Sequence, residues 1–427
     1  MLGTLLLSMP ISTNPGVSLS FIQVLFTAVS ATSVTGLTVV DTALTWTPFG
    51  RAVILILIQI GGLGYMSVVT VFFFIMHQKI GLSQRLLLVQ SLNLNDLRGV
   101  VQLVKHVLVG TLIFQSIGTL ILWVRFMPDY GAWPALGLAV FHAVSAFCNA
   151  GFTILGGIEA YSSLAAYKDD AVLILTITAL VFIGGIGFFV WEDLWRNKGP
   201  RNLQPYSKLV LSISAVLVLG GAVFFYLAER HNPYTLGEMS VPQAALTSFF
   251  LSAIPRSGGF SVMDQAHFRG VSTMFTMCLM MIGGSAGSAA GGIKNATVGI
   301  LVLSAFASLR GRKRLSVFSR TIPSEQVIKA MSIALLAISI AVSSAVVISF
   351  IQPELPFTQV LFETTSAIGT SGLSKGITPY LSPASSLVII LAMFFGRVGI
   401  ITLGMAAFID RSTHEKIKYP DAWVMMG

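Results

Sequence analysis

The chain has 427 residues, of which 54% are hydrophobic and only 10% are charged, and its formal net charge is +9. Soluble globular domains carry about 25% charged residues. A water-soluble fold of this length is therefore excluded, because it would need a far more polar surface. The composition, with a mean hydropathy of +0.83, indicates a protein that crosses the membrane several times.

Apolar segments long enough to cross a bilayer follow one another along the chain. A membrane-spanning helix needs about 20 mostly apolar residues. That length is reached by 50–76, 171–195, 208–229, 272–309, 327–351 and 386–409, and less clearly by 103–126, which has charged residues at both ends. Only nine residues precede Pro10, which is too few for a span, so the first helix is expected to be truncated.

Four shorter segments between these spans share one pattern, in which a phenylalanine precedes a glycine by ten positions. We call them segments 1 to 4, and they are residues 26–36, 141–151, 249–259 and 362–372. The apolar part of each is about a dozen residues, which as a helix would cover ~18 Å, roughly half of the membrane. The pattern therefore predicts four re-entrant segments, each a short helix followed by an extended loop.

Basic residues are clustered along the sequence. Of the 26 lysines and arginines, 17 lie in the stretches 79–105, 196–208, 310–329 and 411–418. Basic loops mark the cytoplasmic side of a membrane protein, so these stretches and the C-terminus are expected there. All four segments then dip into the membrane from outside. The net charge follows from this topology, and the expected partner is the lipid bilayer, with no nucleic acid.

These features predict an all-α membrane protein with four pseudo-symmetric helix–pore helix–loop–helix repeats around a central ion pore. The expected repeats are 1–79, 100–198, 205–312 and 325–411, followed by a cytoplasmic tail at 412–427. Backbone outside a helix is tolerated in the hydrocarbon layer only where it is buried in protein or lines a cavity. Four parallel re-entrant segments satisfy that condition around a shared axis.

The residues that follow each short helix are the predicted selectivity filter. They are Val34, Thr35, Gly36, Asn149, Ala150, Gly151, Ser257, Gly258, Gly259, Thr370, Ser371 and Gly372. Their carbonyl oxygens would replace the hydration shell of K⁺, and the negative ends of the helix dipoles would favour a cation. The alternative is that the glycines only permit tight turns or close helix packing.

A glycine-rich run at 283–292 interrupts the apolar stretch 272–309. Glycine costs about 1 kcal/mol relative to alanine in a helix, so the run is expected to break the helix and to gate the pore beneath the filter. The predicted gate residues are Gly283, Gly284, Ser285, Gly287, Gly291, Gly292, Lys294 and Arg397. Arg397 is expected to bind loop carbonyls and hold the gate closed, and Lys294 to repel cations. The alternatives are small-residue helix packing and snorkelling of Arg397.

Other polar residues in apolar surroundings have simpler explanations. Arg256 is expected to cap the end of a short helix or to pair with an acid such as Glu363, with the structural pair favoured, and His142 is expected to hydrogen-bond locally. Asp41, just past the first filter glycine, either enriches cations at the mouth of the pore or is a plain loop acid. The two cysteines are expected to be buried small residues. The sequence has no set of residues typical of catalysis, so no enzymatic activity is expected.

Taken together, the motifs resemble those of the Trk/Ktr/HKT superfamily of potassium transporters, and most closely the Ktr-type ion-translocating membrane subunit. They include MPIS at 9–12, IQIGGLGYM at 58–66, IPRSGGF at 254–260, IGTSGL at 368–373 and KYPD at 418–421. The resemblance implies one pore per chain, with the four glycines that end the segments as filter glycines. It also implies a bacterial cell membrane location and a homodimer on a cytoplasmic nucleotide-binding regulatory ring.

The predicted function is K⁺ uptake down its electrochemical gradient. The chain has no nucleotide-binding motif, so regulation is expected to come from a separate subunit. No covalent cofactor is expected; K⁺ is the transported ion and Na⁺ a candidate activator. The alternative is a Na⁺-coupled secondary carrier for K⁺. Carriers usually have inverted repeats, whereas the four segments are parallel, which favours a channel-like path.

Overall fold

The computed structural model describes residues 1–64, 100–155, 161, 163–197, 202–312 and 314–399, and their regular structure is almost entirely helical. The first helices are α1 Leu2–Leu7, α2 Phe21–Ser33, α3 Thr42–Thr45, α4 Pro48–Leu63, α5 Val100–Tyr130, α6 Ala132–Phe147, α7 Ala171–Ile186 and α8 Phe188–Arg196. The later ones are α9 Pro205–Glu229, α10 Val241–Ala253, α11 Gly270–Met281, α12 Asn295–Leu309, α13 Ser324–Ile351, α14 Phe357–Gly369 and α15 Pro383–Val398. Single-turn 3₁₀ helices lie at Pro10–Ser12, Ala165–Tyr167, Gln265–His267 and Thr378–Tyr380.

Local sequence explains where several helices begin. Ser20 and Ser240 precede α2 and α10 and form capping boxes with Gln23 and Gln243. Proline occupies the first turn of α4, α9 and α15, where its missing N–H removes no hydrogen bond. The short helices of segments 1 and 3 therefore start at positions that the sequence itself specifies.

Among the described residues, three helices, α5, α9 and α13, are long and apolar enough to cross a membrane by themselves. A further candidate is formed by α7 and α8 together, but these two helices meet at an angle of 88°. Shorter apolar helices, among them α2, α4, α6, α11, α12 and α15, complete this set. The described residues thus combine full-length spans with helices that end inside the protein.

One span predicted as continuous is broken, the interruption predicted within 272–309 is present, and one span is longer than expected. The stretch 171–195 bends at Gly187, where φ is +100°, and 272–309 is interrupted between Met281 and Asn295. The weak candidate at 103–126 is α5, a helix of 31 residues. The charge near its C-terminal end is compensated, because Arg125 pairs with Asp129 at 2.9 Å and with Asp170.

Some predicted regions lie outside the described residues. Residues 65–99 and 400–427 belong to this group, so the far ends of the spans predicted at 50–76 and 386–409, and the predicted tail at 412–427, are not part of the description. At the N-terminus, α1 has six residues and contacts α2 and α4.

A small β-hairpin departs from the purely α-helical prediction. Strand β1, Leu315–Val317, pairs antiparallel with β2, Arg320–Ile322. Phe318 and Ser319 between them have φ values of 47° and 62°, the left-handed conformation that a tight two-residue hairpin turn requires. The hairpin joins α12 to α13 within the basic stretch 310–329. Among the described residues the fold is therefore helical with one hairpin.

Glycines bring the short helices close to the helices that flank them. A side chain at Gly184 of α7 would overlap the carbonyl oxygen of Phe147 at the end of α6. A side chain at Gly221 of α9 would overlap the hydroxyl of Ser252 in α10, which donates to the Val218 carbonyl of α9 at 2.7 Å. Small residues permit this close approach in membrane proteins, where van der Waals contact and hydrogen bonds drive helix association.

We predict that Gly184→Ala destabilises the protein, whereas Gly220→Ala does not. The added methyl group at position 184 overlaps backbone, and overpacking of this kind costs about 1–3 kcal/mol. Gly220 has no atom within 4 Å of the added carbon, so alanine there gains up to about 1 kcal/mol of helix propensity. Thermal unfolding of the detergent-solubilised variants measures the difference. Equal midpoints for the two variants would contradict the packing shown here.

Candidate functional site

The backbone makes the same turn at the end of each segment. The residue two positions before the last glycine has a left-handed φ, and so has the glycine. The non-glycine residues are Val34 (56°), Asn149 (60°), Ser257 (85°) and Thr370 (47°), and the glycines are Gly36 (91°), Gly151 (70°), Gly259 (71°) and Gly372 (82°). Left-handed geometry costs a non-glycine residue roughly 1–2 kcal/mol. Such strain persists where the surroundings enforce it, as at functional sites.

The four glycines meet, and each faces a carbonyl oxygen from the following segment. The oxygens of Ala150, Gly258, Ser371 and Thr35 face Gly36, Gly151, Gly259 and Gly372, respectively. Each oxygen lies within 3.1 Å of the position that a side-chain carbon on the facing glycine would take. These contacts close into a ring in the order 1-2-3-4, which we call the carbonyl ring. Segments 2 and 4 therefore lie opposite each other.

Serine residues inside the short helices fix the loops of segments 1 and 2. The Ser30 hydroxyl donates to the carbonyl of Leu37, just past the glycine, at 2.7 Å. The N–H of Thr35 donates to the Ser30 carbonyl at 2.9 Å. Ser145 makes the same two bonds in segment 2, both at 2.8 Å. The N–H groups that precede the glycines thus bond to their own helices, whereas the carbonyl oxygens face the ring.

Segments 3 and 4 are held together across their boundary. Segment 3 has Ala253 where segments 1 and 2 have the serine, so that hydroxyl bond is missing. Instead, the Ser257 hydroxyl donates to the Gly369 carbonyl of segment 4 at 3.2 Å, and the Ser371 hydroxyl donates to the Pro255 carbonyl of segment 3 at 2.8 Å. All twelve predicted filter residues therefore lie in these four joined loops.

The loop 283–292 binds the break between α7 and α8. The Ser285 N–H donates to the Gly185 carbonyl at 2.9 Å, and the Phe188 N–H donates to the Gly287 carbonyl at 2.7 Å. The backbone groups left without helical partners at the break between α7 and α8 thus bond to backbone groups of the interruption between α11 and α12. This exchange meets the requirement that buried backbone groups find partners.

The same loop also touches the end of the fourth short helix. A side chain at Gly291 would overlap the side chain of Thr370, and one at Gly292 would lie 3.1 Å from the Gly369 carbonyl oxygen. The predicted gate glycines are therefore packed directly against a predicted filter residue.

Lys294 and Arg397 both donate to carbonyls of this loop. The Lys294 ammonium donates to the Ala290 oxygen at 2.8 Å. The Arg397 guanidinium donates to the Ala289 oxygen and also to the Gly61 oxygen of α4. The arginine therefore connects α15, the loop and α4.

The predicted pair of Arg256 and Glu363 is wrong. The Arg256 guanidinium points to α9, where it donates to the Ser214 hydroxyl at 3.3 Å, and its Nε has no partner among the described residues. The Glu363 carboxylate bonds to the loop after Gly372 instead. The two side chains belong to neighbouring segments, but Arg256 is directed to α9 and Glu363 to the loop after Gly372. Sequence spacing alone does not predict these directions.

Asp41 has a structural role at the end of segment 1. Its carboxylate accepts from the N–H groups of Ala43 and Leu44 at 2.8 and 2.9 Å and so caps α3. It also accepts from the N–H of Tyr161 at 2.8 Å. These bonds favour the plain loop acid over a cation-attracting group.

The carbonyl ring consists of neutral backbone oxygens. In the ranges that the structure describes, no cluster of His, Cys, Asp and Glu side chains could hold a metal ion. Neutral backbone oxygens are the ligands that replace the water around a monovalent cation in selective pores. Apolar helices of spanning length together with such a ring are features of an integral membrane protein that transports cations.

Sequence comparison agrees with that class. The chain belongs to the TrkH family of cation transport proteins, which it matches over residues 4–416. The resemblance to the Trk/Ktr/HKT superfamily seen in the motifs is thereby confirmed.

Two curated relatives match the chain over its whole length. The potassium/sodium uptake protein NtpJ of Enterococcus hirae is 38% identical, and the alignment covers 100% of this chain and 94% of that protein. The Ktr system potassium uptake protein B of Bacillus subtilis is also 38% identical, with the same two coverages.

The solved structure of the potassium transporter TrkH from Vibrio parahaemolyticus has the same fold. The TM-score is 0.73 at 16% identity, and the match covers 91% of this chain and 78% of that one. At this identity the similarity concerns the fold alone.

Proposed function

We propose that this protein takes up K⁺ through a channel-like pore whose selectivity filter is the carbonyl ring. The observation that carries the proposal is the cyclic arrangement of four loops, each presenting a carbonyl oxygen to the glycine of its neighbour. The relatives from Enterococcus hirae and Bacillus subtilis are named as potassium uptake proteins, which supports K⁺ as the ion. Each chain would form one pore from four pseudo-symmetric repeats.

The short helices favour a cation at the ring. Each of them ends at a loop that carries a ring carbonyl, and these loops meet, so the four negative dipole ends lie near the ring. Each contributes up to about 1 kcal/mol if values from exposed helix ends apply. The basic loops are assigned to the cytoplasm. The four loops of the carbonyl ring then face the outside, and the membrane potential drives K⁺ inward.

The loop 283–292 is proposed as the gate. It packs against Thr370 of the filter, and its carbonyls bind Lys294 and Arg397. Both cations lie next to the proposed ion path, where they disfavour a passing K⁺ until the loop moves. A cytoplasmic nucleotide-binding regulatory subunit would supply that movement, acting on a homodimer of this chain in a bacterial cell membrane.

A Na⁺-coupled carrier for K⁺ is the second candidate. It is favoured by one observation, the name potassium/sodium uptake protein carried by the Enterococcus hirae relative. Uptake of K⁺ and of Na⁺ by cells that lack their own K⁺ uptake systems, measured together with and without a regulatory subunit and across Na⁺ concentrations, separates the two. Coupling requires Na⁺ to enter with K⁺ in a fixed ratio, whereas activation by Na⁺ requires no Na⁺ flux.

We predict that Gly372→Ser lowers the preference for K⁺ over Na⁺. The new side chain would meet the Thr35 carbonyl and the Cα atoms of Gly36 and Gly259, so the ring must widen or distort. A change of only about 1.4 kcal/mol in relative site energy alters the preference tenfold. Competition of Na⁺ and Rb⁺ with K⁺ uptake measures it.

Gly16→Ser is the matched control for this variant. Gly16 has a similar φ of +86°, but nothing lies within 4 Å of an added side chain. The control variant has the same kind of backbone strain but does not contact the ring. We therefore expect it to keep the preference for K⁺ over Na⁺. Unchanged selectivity in Gly372→Ser would refute the filter assignment.

We predict that Arg397→Ala raises K⁺ leak in the resting state. The substitution removes charge-assisted bonds to Ala289 and Gly61, each worth about 1.5–3 kcal/mol, and so favours the displaced loop. K⁺ efflux from proteoliposomes without the regulatory subunit measures this leak.

Arg51→Ala serves as the control for Arg397→Ala. Arg51 also donates to two backbone carbonyls, those of Ala43 and Trp46, but it lies ten residues before Gly61 in α4, about 15 Å along the helix. We expect no added leak from it. Equal flux in Arg397→Ala and the unmodified protein, at rest and when activated, would exclude the arginine from gating.

A further inference from the structure

Two buried polar side chains occupy equivalent positions in opposite segments. His142 follows the phenylalanine of segment 2, and Glu363 follows that of segment 4. Their exposures are 0% and 1%. A histidine and an acid inside short apolar helices are costly unless their hydrogen bonds are satisfied, so their partners indicate why they are tolerated there.

Glu363 binds the outer part of the segment 4 loop, which follows Gly372. Its Oε1 accepts from the Ser374 hydroxyl at 2.6 Å and from the Lys375 N–H at 2.9 Å, and its Oε2 accepts from the Thr378 hydroxyl at 2.9 Å. Three donors that lie two to six residues past the glycine are thus fixed to one side chain. The Lys375 ammonium also lies 5.8 Å from the centre of the Phe362 ring.

His142 makes the corresponding contact in segment 2. Its Nδ1 donates to the Leu138 carbonyl at 2.8 Å, which leaves Nε2 to accept from the Thr153 hydroxyl at 2.9 Å. Thr153 is two residues past Gly151, as Ser374 is two residues past Gly372. The Thr153 oxygen in turn accepts from the Leu155 N–H at 3.2 Å.

The other two segments have no such bond. Segment 1 has Thr27 at the equivalent position, and its hydroxyl donates back to the Gln23 carbonyl of its own helix. Segment 3 has the apolar Phe250. Because segments 2 and 4 lie opposite each other in the carbonyl ring, the two polar side chains secure one diagonal of it.

We propose that His142 and Glu363 are positioning residues of the filter. By fixing the hydroxyl two residues past the glycine, each holds the outer limb of its loop and thereby sets the spacing of the ring carbonyls across one diagonal. Selection between K⁺ and Na⁺ depends on that geometry. This inference rests on the proposed function, because it assigns the two residues a role in ion discrimination.

The test compares selectivity among variants that reach the membrane in equal amounts. We expect Glu363→Ala and His142→Ala to lower the preference for K⁺ over Na⁺ by about tenfold or more, since each leaves buried donors or acceptors without partners. Thr378→Val removes one bond without altering the helix, and it keeps the test valid if Glu363→Ala fails to fold. We expect a smaller loss of the same sign.

One matched control lies in α14, the helix that carries Glu363, and another lies just before this helix. Thr358→Val changes an exposed threonine of α14, and Glu354→Ala removes an exposed acid a few residues earlier. Neither residue bonds to the loop after Gly372. We expect both to keep the selectivity of the unmodified protein.

Glu363→Gln separates hydrogen bonding from charge. Its amide oxygen can still accept from Ser374 and Lys375, while Thr378 can donate to Ser374, which lies 3.0 Å away. We expect selectivity close to that of the unmodified protein. A loss equal to that of Glu363→Ala would overturn the positioning role in favour of a purely electrostatic one.

A double-mutant cycle of Glu363 and Ser374 gives a second test. It measures whether their effects on selectivity are coupled, which a general loss of stability would not produce. The double variant Glu363→Ala, Ser374→Ala should lose no more selectivity than Glu363→Ala alone, because both changes remove the same bond. Additive losses would contradict the inference. So would normal selectivity in Glu363→Ala and Thr378→Val.

The two levels of the proposal fail in different ways. If the unmodified protein shows no preference for K⁺, the proposed function is wrong. If it prefers K⁺, and Gly372→Ser abolishes that preference while the variants at 142 and 363 keep it, only the positioning role is wrong.

Discussion

Backbone outside a helix in a membrane protein must find hydrogen-bond partners or line a cavity, and this constraint shapes the four loops at the carbonyl ring. Thr35 and Ala150 donate their N–H groups to serine carbonyls of their own helices. Their carbonyl oxygens face the neighbouring glycines Gly372 and Gly36. Left-handed φ values two residues before each glycine and at the glycine itself make this arrangement possible. The short helices, the serines and the small-residue contacts around them all hold in place the peptide groups whose carbonyl oxygens form the ring.

The same constraint shapes the loop 283–292. An interrupted helix would leave several N–H and C=O groups without partners in the membrane, at a cost of several kcal/mol each. The break between α7 and α8 solves this, because Gly185 and Phe188 exchange hydrogen bonds with Ser285 and Gly287. Each interruption therefore depends on the other. The loop is held in place by these hydrogen bonds and by Arg397.

Much of this was predictable from the sequence, since the glycine spacing located the loops and the run at 283–292 located the interrupted helix. The bend at Gly187 was missed, although the sequence IGGIG at 183–187 was a signal for it. The direction of the Arg256 and Glu363 side chains could not be read from spacing, because it depends on which element packs behind each helix. Aligning the four segments does place His142 and Glu363 at one position, but only the structure reveals that each bonds to the hydroxyl two residues past its glycine.

The ring is not fully symmetric, and the departure lies in segment 3. Pro255 ends α10 there, since proline cannot continue a helix, and Ala253 cannot make the bond that Ser30 makes in segment 1. Segment 3 is instead held by its neighbour, through Ser257 and Ser371. Segments 3 and 4 are thus joined to each other, whereas the serine bonds of segments 1 and 2 stay within each segment. A change at Ser371 removes a bond between two segments, whereas a change at Ser30 removes a bond within one.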